Sequence, residues 1–149
     1  MRAELELARS DEASPLVDRL LGDLQEALTL LGRVESAALG IVPVLVLDDD
    51  SRLGELTARS LRRAGFDADS ADCFRELRPG EIVVFDLGLI ASLDVNERSA
   101  LTASRPIVVT GAADSGSRAL AEEIGASDYL IKPVETEDLI AAIRRRASA

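Results

Sequence analysis

A chain of 149 residues can hold one self-sufficient domain and an appendage, so no disulfide or structural metal is needed to stabilise it. A net charge of −10 argues against nonspecific binding to nucleic acid or anionic lipid, both polyanions, and the lack of histidine removes imidazole catalysis, imidazole metal ligation and phosphohistidine chemistry on this chain. No apolar run approaches the roughly 18 residues of a membrane span, the stretch MRAELELARSDE lacks a signal-peptide core, and the single cysteine, Cys73, reads as a small buried apolar residue, which together lead to the expectation of a cytoplasmic protein with no nucleic-acid or membrane partner.

Residues 1–13 are polar and charged and read as a frayed tail. From Ser14-Pro15 the pattern changes to a helix start, with serine as cap and proline at the first helical position. The N-terminal segment 14–40 is therefore expected to be an amphipathic helix running to about Ala38, with Gly40 beyond its end. Val17, Leu20, Leu24, Ala27, Leu31, Val34 and Ala38 alternate steps of three and four, which is a heptad seam. Leu16, Leu21 and Leu28 widen that seam beyond what a two-stranded contact uses. Gly22 and Gly32 each cost about 1 kcal/mol relative to alanine, so contacts outside the helix must hold it. Dimerisation through this helix is the expectation, and packing on its own domain is the alternative.

After Pro43 short apolar runs alternate with helical patterns. The runs are Val44–Leu47, a weaker one over Phe66–Ala71, Ile82–Phe85, Ile107–Val109 and Tyr129–Ile131. The helical patterns between them are Ser51–Ala64, a stub at Asp72–Leu77, a short one at Val95–Ser104, Ser115–Ile124 and Thr136–Arg146. Continuous β-branched runs alternating with helices imply an α/β fold with a parallel sheet covered on both faces. Five of each predict a flavodoxin-like, doubly wound five-stranded domain over residues 42–146. Arg144, Arg145 and Arg146 are expected to complement the C-terminal end of the last helix.

Ligands of such sheets bind beyond the carboxyl ends of the strands, and those ends are polar throughout this domain. VLVLDDD ends in Asp48 and Asp49, EIVVFD in Asp86, PIVVT in Thr110, and YLIKP in Lys132. Sixteen arginines and one lysine make up the basic residues, so the use of a compact ammonium at position 132 points to a confined anionic site that a planar guanidinium would not enter. Two carboxylates 4 Å apart repel by about 4 kcal/mol at an effective dielectric near 20. Asp48, Asp49 and Asp86 with Lys132 would leave an excess of two negative charges, which a divalent ion would neutralise. An all-oxygen donor set favours a hard ion such as Mg²⁺. Asp86 could then act as a nucleophile toward a phosphoryl group, with Lys132 and the Thr110 hydroxyl stabilising the charge that spreads over its oxygens.

These five positions, in this order at strand ends, closely resemble the receiver domain of two-component response regulators, the CheY-like variant of the flavodoxin-like fold. The 22-residue step from Thr110 to Lys132 matches the family's usual interval. The resemblance implies that Asp86 accepts phosphate from a sensor histidine kinase and that Asp48, Asp49, Asp86 and the backbone carbonyl of Gly88 hold Mg²⁺. It also implies that Lys132 pairs with the phosphoryl oxygens before a cis peptide to Pro133, and that Thr110 and Tyr129 form a switch pair that remodels the face of the last two helices. The chain departs from the family in its short intervals from Asp49 to Asp86 and from Asp86 to Thr110, which imply a truncated second helix and a reduced third. Ile90 and Val134 stand where a proline and an aromatic residue are common.

The resemblance makes the chain a signalling module that catalyses only its own phosphorylation and dephosphorylation, and with only Ala147–Ala149 after the last helix its output is expected through protein contacts with an unknown downstream partner. Two other readings stay open. One is a pseudo-receiver that keeps the fold and signals without phosphorylation. The other is a haloacid-dehalogenase-like phosphatase using Asp48 of VLVLDDDS, a reading that leaves Asp86 without a role. Asp48 to Asp50 could also cap the helix that begins at Ser51, and Asp50 is the residue placed to do so.

Overall fold

Residues 15–28 are helical (α1), and a second unit begins at Ile41, the chain dividing after Gly40 into Met1–Gly40 and Ile41–Ala149. The protein is described from a computed structural model, which covers residues 15–28, 30 and 40–149. The expected tail over 1–13 and the continuation of α1 to Ala38 lie outside the described residues. Every described residue of α1 is exposed, including Leu20 at 58% and Leu24 at 55%.

In the second unit, strands β1 (Pro43–Leu47), β2 (Asp67–Ala71), β3 (Ile82–Asp86), β4 (Ile107–Thr110) and β5 (Asp128–Ile131) form one parallel sheet in the order β2-β1-β3-β4-β5. Helices α2 (Ser51–Arg63), α3 (Val95–Ser104), α4 (Ser115–Glu123) and α5 (Thr136–Ala147) cover it. The period-two alternation of strand side chains divides the core. Val44, Val46, Ile82, Val84 and Ile107 pack with Ala58 and Leu61 of α2 and Leu139 and Ile143 of α5. Leu45, Leu47, Val83, Phe85 and Val108 face the other way, onto Leu101 of α3 and Ala121 of α4. This is the doubly wound arrangement that the unbroken apolar runs predict.

The helix starts follow capping chemistry. Asp50 accepts from the backbone N–H groups of Arg52 and Leu53 and caps α2. Asp94 and Glu97 form a reciprocal capping box on α3, and Asp114 caps α4 by accepting from Ser117 N–H. The helices α2 and α4 give way to Gly65 and Gly125, whose φ values of +99° and +74° suit glycine.

Two expectations are corrected. Asp72–Leu77 is not a helix: residues 72–80 run as irregular chain. Phe74 and Leu77 from this stretch pack against the sheet face that a helix would otherwise cover. Arg75 and Arg78 fix the segment by holding the buried Glu81 carboxylate, at 2.8 and 2.9 Å, and Pro79-Gly80 interrupts any helical continuation. Cys73, on this segment, is exposed rather than buried. The arginines at the end of α5 do more than complement their own helix. Arg145 bonds Asp128 on β5, and Arg146 donates to the carbonyls of Ser104 and Arg105 at the end of α3.

Candidate functional site

Parallel strands deliver Asp48, Asp86, Thr110 and Lys132 to one edge of the sheet, because each residue ends or directly follows its strand. Asp48 follows β1 and is buried at 6% exposure, Asp86 closes β3, and Thr110 closes β4 at 5%. Lys132 follows β5, its N–H donating to Thr110 O at 2.8 Å. Lys132 Nζ donates to Asp86 Oδ2 at 2.9 Å, and the same ammonium stands 3.4 Å from Asp48 Oδ2. The other oxygens take backbone donors: Asp50 N–H to Asp48 Oδ1 and Gly88 N–H to Asp86 Oδ1, both at 2.9 Å. Asp49 is exposed, yet one of its oxygens lies within 4.8 Å of oxygens on Asp48 and Asp86.

Glycine permits two close approaches. A Cβ at Gly54 would stand 3.3 Å from Cβ of Asp48, so a side chain there would press α2 and the acidic strand end apart by a few tenths of an ångström. At Gly88 it would stand 3.3 Å from Asp86 Oδ1 and 3.5 Å from Asp49 Oδ2, against the acidic cluster itself. Gly88 lies in a 3₁₀ turn over Leu87–Ser92 that the sequence reading did not anticipate. The Lys132-Pro133 peptide is cis.

The electrostatics are uneven. Burial is the strongest influence on Asp48 and pushes its carboxyl above the usual aspartate value, the Asp50 N–H and Lys132 failing to cancel it. Burial also works on Asp86, but the hydrogen bond from Lys132 and the Gly88 N–H outweigh it and hold that carboxyl low. Burial would discharge Lys132, and its bonds and charge attraction to Asp86 and Asp48 instead hold it firmly protonated. The site thus presents an ionised Asp86 beside an ammonium, with Asp48 as the carboxylate least at ease with its charge.

Comparison with known proteins bears on what this arrangement is. No family model matches the chain. The DNA-binding response regulator MtrA of Mycobacterium tuberculosis is 35% identical over 113 residues, covering 69% of this chain and 49% of that protein. A receiver protein from Burkholderia phymatum superposes with a TM-score of 0.61 at 26% identity, covering 72% of this chain and 95% of the other. A response regulator from Burkholderia pseudomallei, solved with a phosphorylated aspartic acid, a calcium ion and citrate, gives 0.55 at 26% identity, covering 72% and 69%. The chain contains a response-regulator receiver domain. It spans about half the length of the MtrA relatives.

Within the receiver, the two expected switch residues are placed as follows. The Thr110 hydroxyl accepts from Ala112 N–H at 3.1 Å, and Tyr129 Oη donates to Ala112 O at 3.0 Å. Both therefore engage the same residue of the β4–α4 loop. The Arg118 guanidinium of α4 lies over the Tyr129 ring, 5.9 Å from its centre. Neither Ala112 nor Arg118 was legible in advance. A small loop residue carries no chemical signal, and an arginine on a helix reads as solvated surface. Beside the acidic cluster a groove of about 560 Å³ opens between Leu53 and Leu56 of α2 and Val134. Among the described residues, no helix is long and apolar enough to cross a membrane.

Proposed function

We propose that Asp86 receives a phosphoryl group from the phosphohistidine of a sensor kinase. The observation that carries this reading is the meeting of an ionised Asp86 with Lys132 at 2.9 Å inside a cluster of three carboxylates. An Asp86 oxygen forms the new P–O bond, the histidine P–N bond breaks, and the imidazole leaves with its electron pair and takes up a proton. Lys132, already on Asp86, meets the charge of the arriving oxygens, and Thr110 offers a hydroxyl at the end of the neighbouring strand. The donor set fits Mg²⁺: three carboxylates with interatomic spacings within 4.8 Å, a single ammonium to balance them, and no nitrogen or sulfur ligand. Asp48, Asp49, Asp86 and the Gly88 carbonyl would hold the ion, which when bound neutralises charge on phosphoryl oxygens. The phosphorylated aspartic acid and calcium ion of the Burkholderia pseudomallei relative support the same reading.

The groove beside Asp86, with Leu53 and Leu56 exposed at 42% and 56%, gives a phosphodonor protein an apolar footing next to the acceptor. Tyr129 and Thr110 act as the switch, and the output passes through protein contacts in the cytoplasm, with α1 bringing copies of the chain together. The test is incubation with Mg²⁺ and acetyl phosphate followed by intact mass measurement. One added phosphoryl group, absent from Asp86→Asn and absent when a chelator is present from the start, is the expected result. No addition would make the chain a receiver that signals unphosphorylated, and addition at Asp48 would make it a phosphatase of the dehalogenase type.

A further inference from the structure

Tyr129 is the only tyrosine of a chain that has no tryptophan, and its half-buried side chain is held from two sides. At the tip, Oη donates to Ala112 O at 3.0 Å. Over the face, the Arg118 guanidinium stands 5.9 Å from the ring centre, within the range at which a cation is drawn to an aromatic ring. Ala112 is engaged a second time, its N–H donating to Thr110 Oγ1 at 3.1 Å. Thr110, Ala112, Tyr129 and Arg118 thus form one line of contacts from the buried end of β4, across the exposed β4–α4 loop, to α4.

The helix gives no reason of its own for an arginine at this position. Arg118 is the fourth residue of α4, its N–H donating to Asp114 O, near the end where the helix dipole disfavours a cation. Its side chain makes no ion pair or hydrogen bond among the described residues, whereas Arg62, Arg75, Arg78 and Arg145 each reach a carboxylate. The ring is what this guanidinium meets. An arginine suits that contact because its planar, weakly hydrated head stacks on an aromatic face.

We infer, resting on the switch reading above, that Arg118 is the positioning residue of Tyr129: its guanidinium keeps the ring where Oη meets Ala112 O, and so ties the start of α4 to the residue that Thr110 also holds. The phenol alone does not secure that place, because a hydrogen bond to an exposed loop carbonyl competes with water. A cation on an exposed ring biases such a two-state position by about two- to fivefold. A Thr110 hydroxyl that turns toward a phosphoryl group on Asp86 pulls on Ala112, and the ring contact carries the displacement through Tyr129 to α4.

Fluorine NMR on the full chain labelled with fluorotyrosine reads the position directly, since Tyr129 gives a single resonance. Arg118→Gln removes the charge, and Arg118→Lys keeps it without the planar head. With no phosphodonor present, the Gln variant's resonance is expected to move toward that of the urea-unfolded chain, the released ring being about two- to fivefold more populated, and the Lys variant is expected to stand between it and the parent, all three melting at the same temperature. A Gln variant with the parent's resonance would overturn the inference, as would a Lys variant displaced as far as the Gln variant. A fall in melting temperature accompanying the displacement would make Arg118 a structural residue of α4 and overturn it too. Mg²⁺ and acetyl phosphate then separate the inference from the reading on which it rests. Where intact mass shows a phosphoryl group added, the resonance is expected to move less in Arg118→Gln than in the parent, and an equal movement would overturn the coupling through Arg118 while leaving Asp86 as the acceptor. No phosphoryl addition to the parent would overturn the acceptor reading instead, and the donor-free spectra decide the hold of Arg118 on the ring in either case.

Discussion

Two places in the receiver gather three carboxylates each, and they answer the repulsion in opposite ways. At the start of β3, Glu81 has a fully buried side chain, and both its oxygens are occupied. Arg75 makes a two-point contact at 2.9 and 2.8 Å, and Arg78 donates through Nε and its backbone N–H. Arg78 also reaches Asp67 at 2.9 Å, and both arginines approach Asp69. Burial alone would raise the Glu81 carboxyl, but the arginine bonds outweigh it and hold it below the usual glutamate value. At the opposite edge of the same sheet, Asp48 and Asp86 share one ammonium with Asp49 close beside them, and Asp48 is pushed up instead. Three acids with two guanidiniums close on themselves, whereas three acids with one lysine are left short of positive charge. That shortage sits at the strand ends where an α/β sheet binds its ligand, which is where the proposed Mg²⁺ would supply the missing positive charge.

The comparison is broken most forcefully at Glu81. Glu81→Gln removes the charge that neutralises Arg75 and Arg78 while keeping the size of the side chain. Uncoupling one partner of a buried ion cluster costs about 3 kcal/mol, and for a domain near 100 residues this lowers the melting temperature by more than about 10 °C. Differential scanning calorimetry reads the shift. An unaltered melting temperature would mean that the network does not hold residues 72–80, and that Phe74 and Leu77 keep that segment in place unaided.

At the other cluster the sign reverses. Asp48→Asn removes a buried charge that is only partly compensated, so in the presence of a chelator the variant is expected to melt above the parent. Adding Mg²⁺ is expected to stabilise the parent and to leave the variant close to where it was. Thermal melts with chelator and with millimolar Mg²⁺ make the comparison. A variant less stable than the metal-free parent would show that Lys132 and the Asp50 N–H already satisfy Asp48.

The contrast between the clusters also explains what could be read from the chain. Asp48, Asp49, Asp86, Thr110 and Lys132 were legible because a parallel strand fixes where its last residue goes: once VLVL, IVVF, IVV and YLI are strands, the residues after them share an edge. That the sheet is covered on both faces followed from the same apolar runs, whereas the strand order β2-β1-β3-β4-β5 is not written in them. The Glu81 network was not legible, since Arg75, Arg78 and Glu81 at steps of three look like one exposed helical stripe. It took the tertiary position of β2, with Asp67 and Asp69 beside them, to turn the stripe into a clamp on irregular chain. The helix expected at Asp72–Leu77 failed for that reason: tertiary ion pairs overrode a weak local pattern. Tyr129 was found by its place before Lys132, but its partner Arg118 was not, because the ring contact depends on how α4 lies across β5.

The smallest effect, and the one that ties the clusters together, is the acid side of the stability profile. Glu81 has a folded pKa below its unfolded value, so the stability it contributes is fully present above the usual glutamate range and is lost as pH falls through the lowered folded value. Asp48 has a folded pKa above its unfolded value, so the folded state holds that proton more tightly and loses stability as pH rises from the usual aspartate value through the raised one. Lowering the pH from neutrality in chelator should therefore first stabilise the receiver slightly, as Asp48 takes up its proton, and then destabilise it as Glu81 does. Urea midpoints measured from pH 8 to pH 3 are expected to pass through a shallow maximum on the acid side for the parent and to decline without one for Asp48→Asn. Mg²⁺ should flatten the rise, because an ion held by the three carboxylates keeps Asp48 ionised. A maximum that survives in Asp48→Asn would assign the acid-side gain to some other carboxylate and remove the difference between the two clusters.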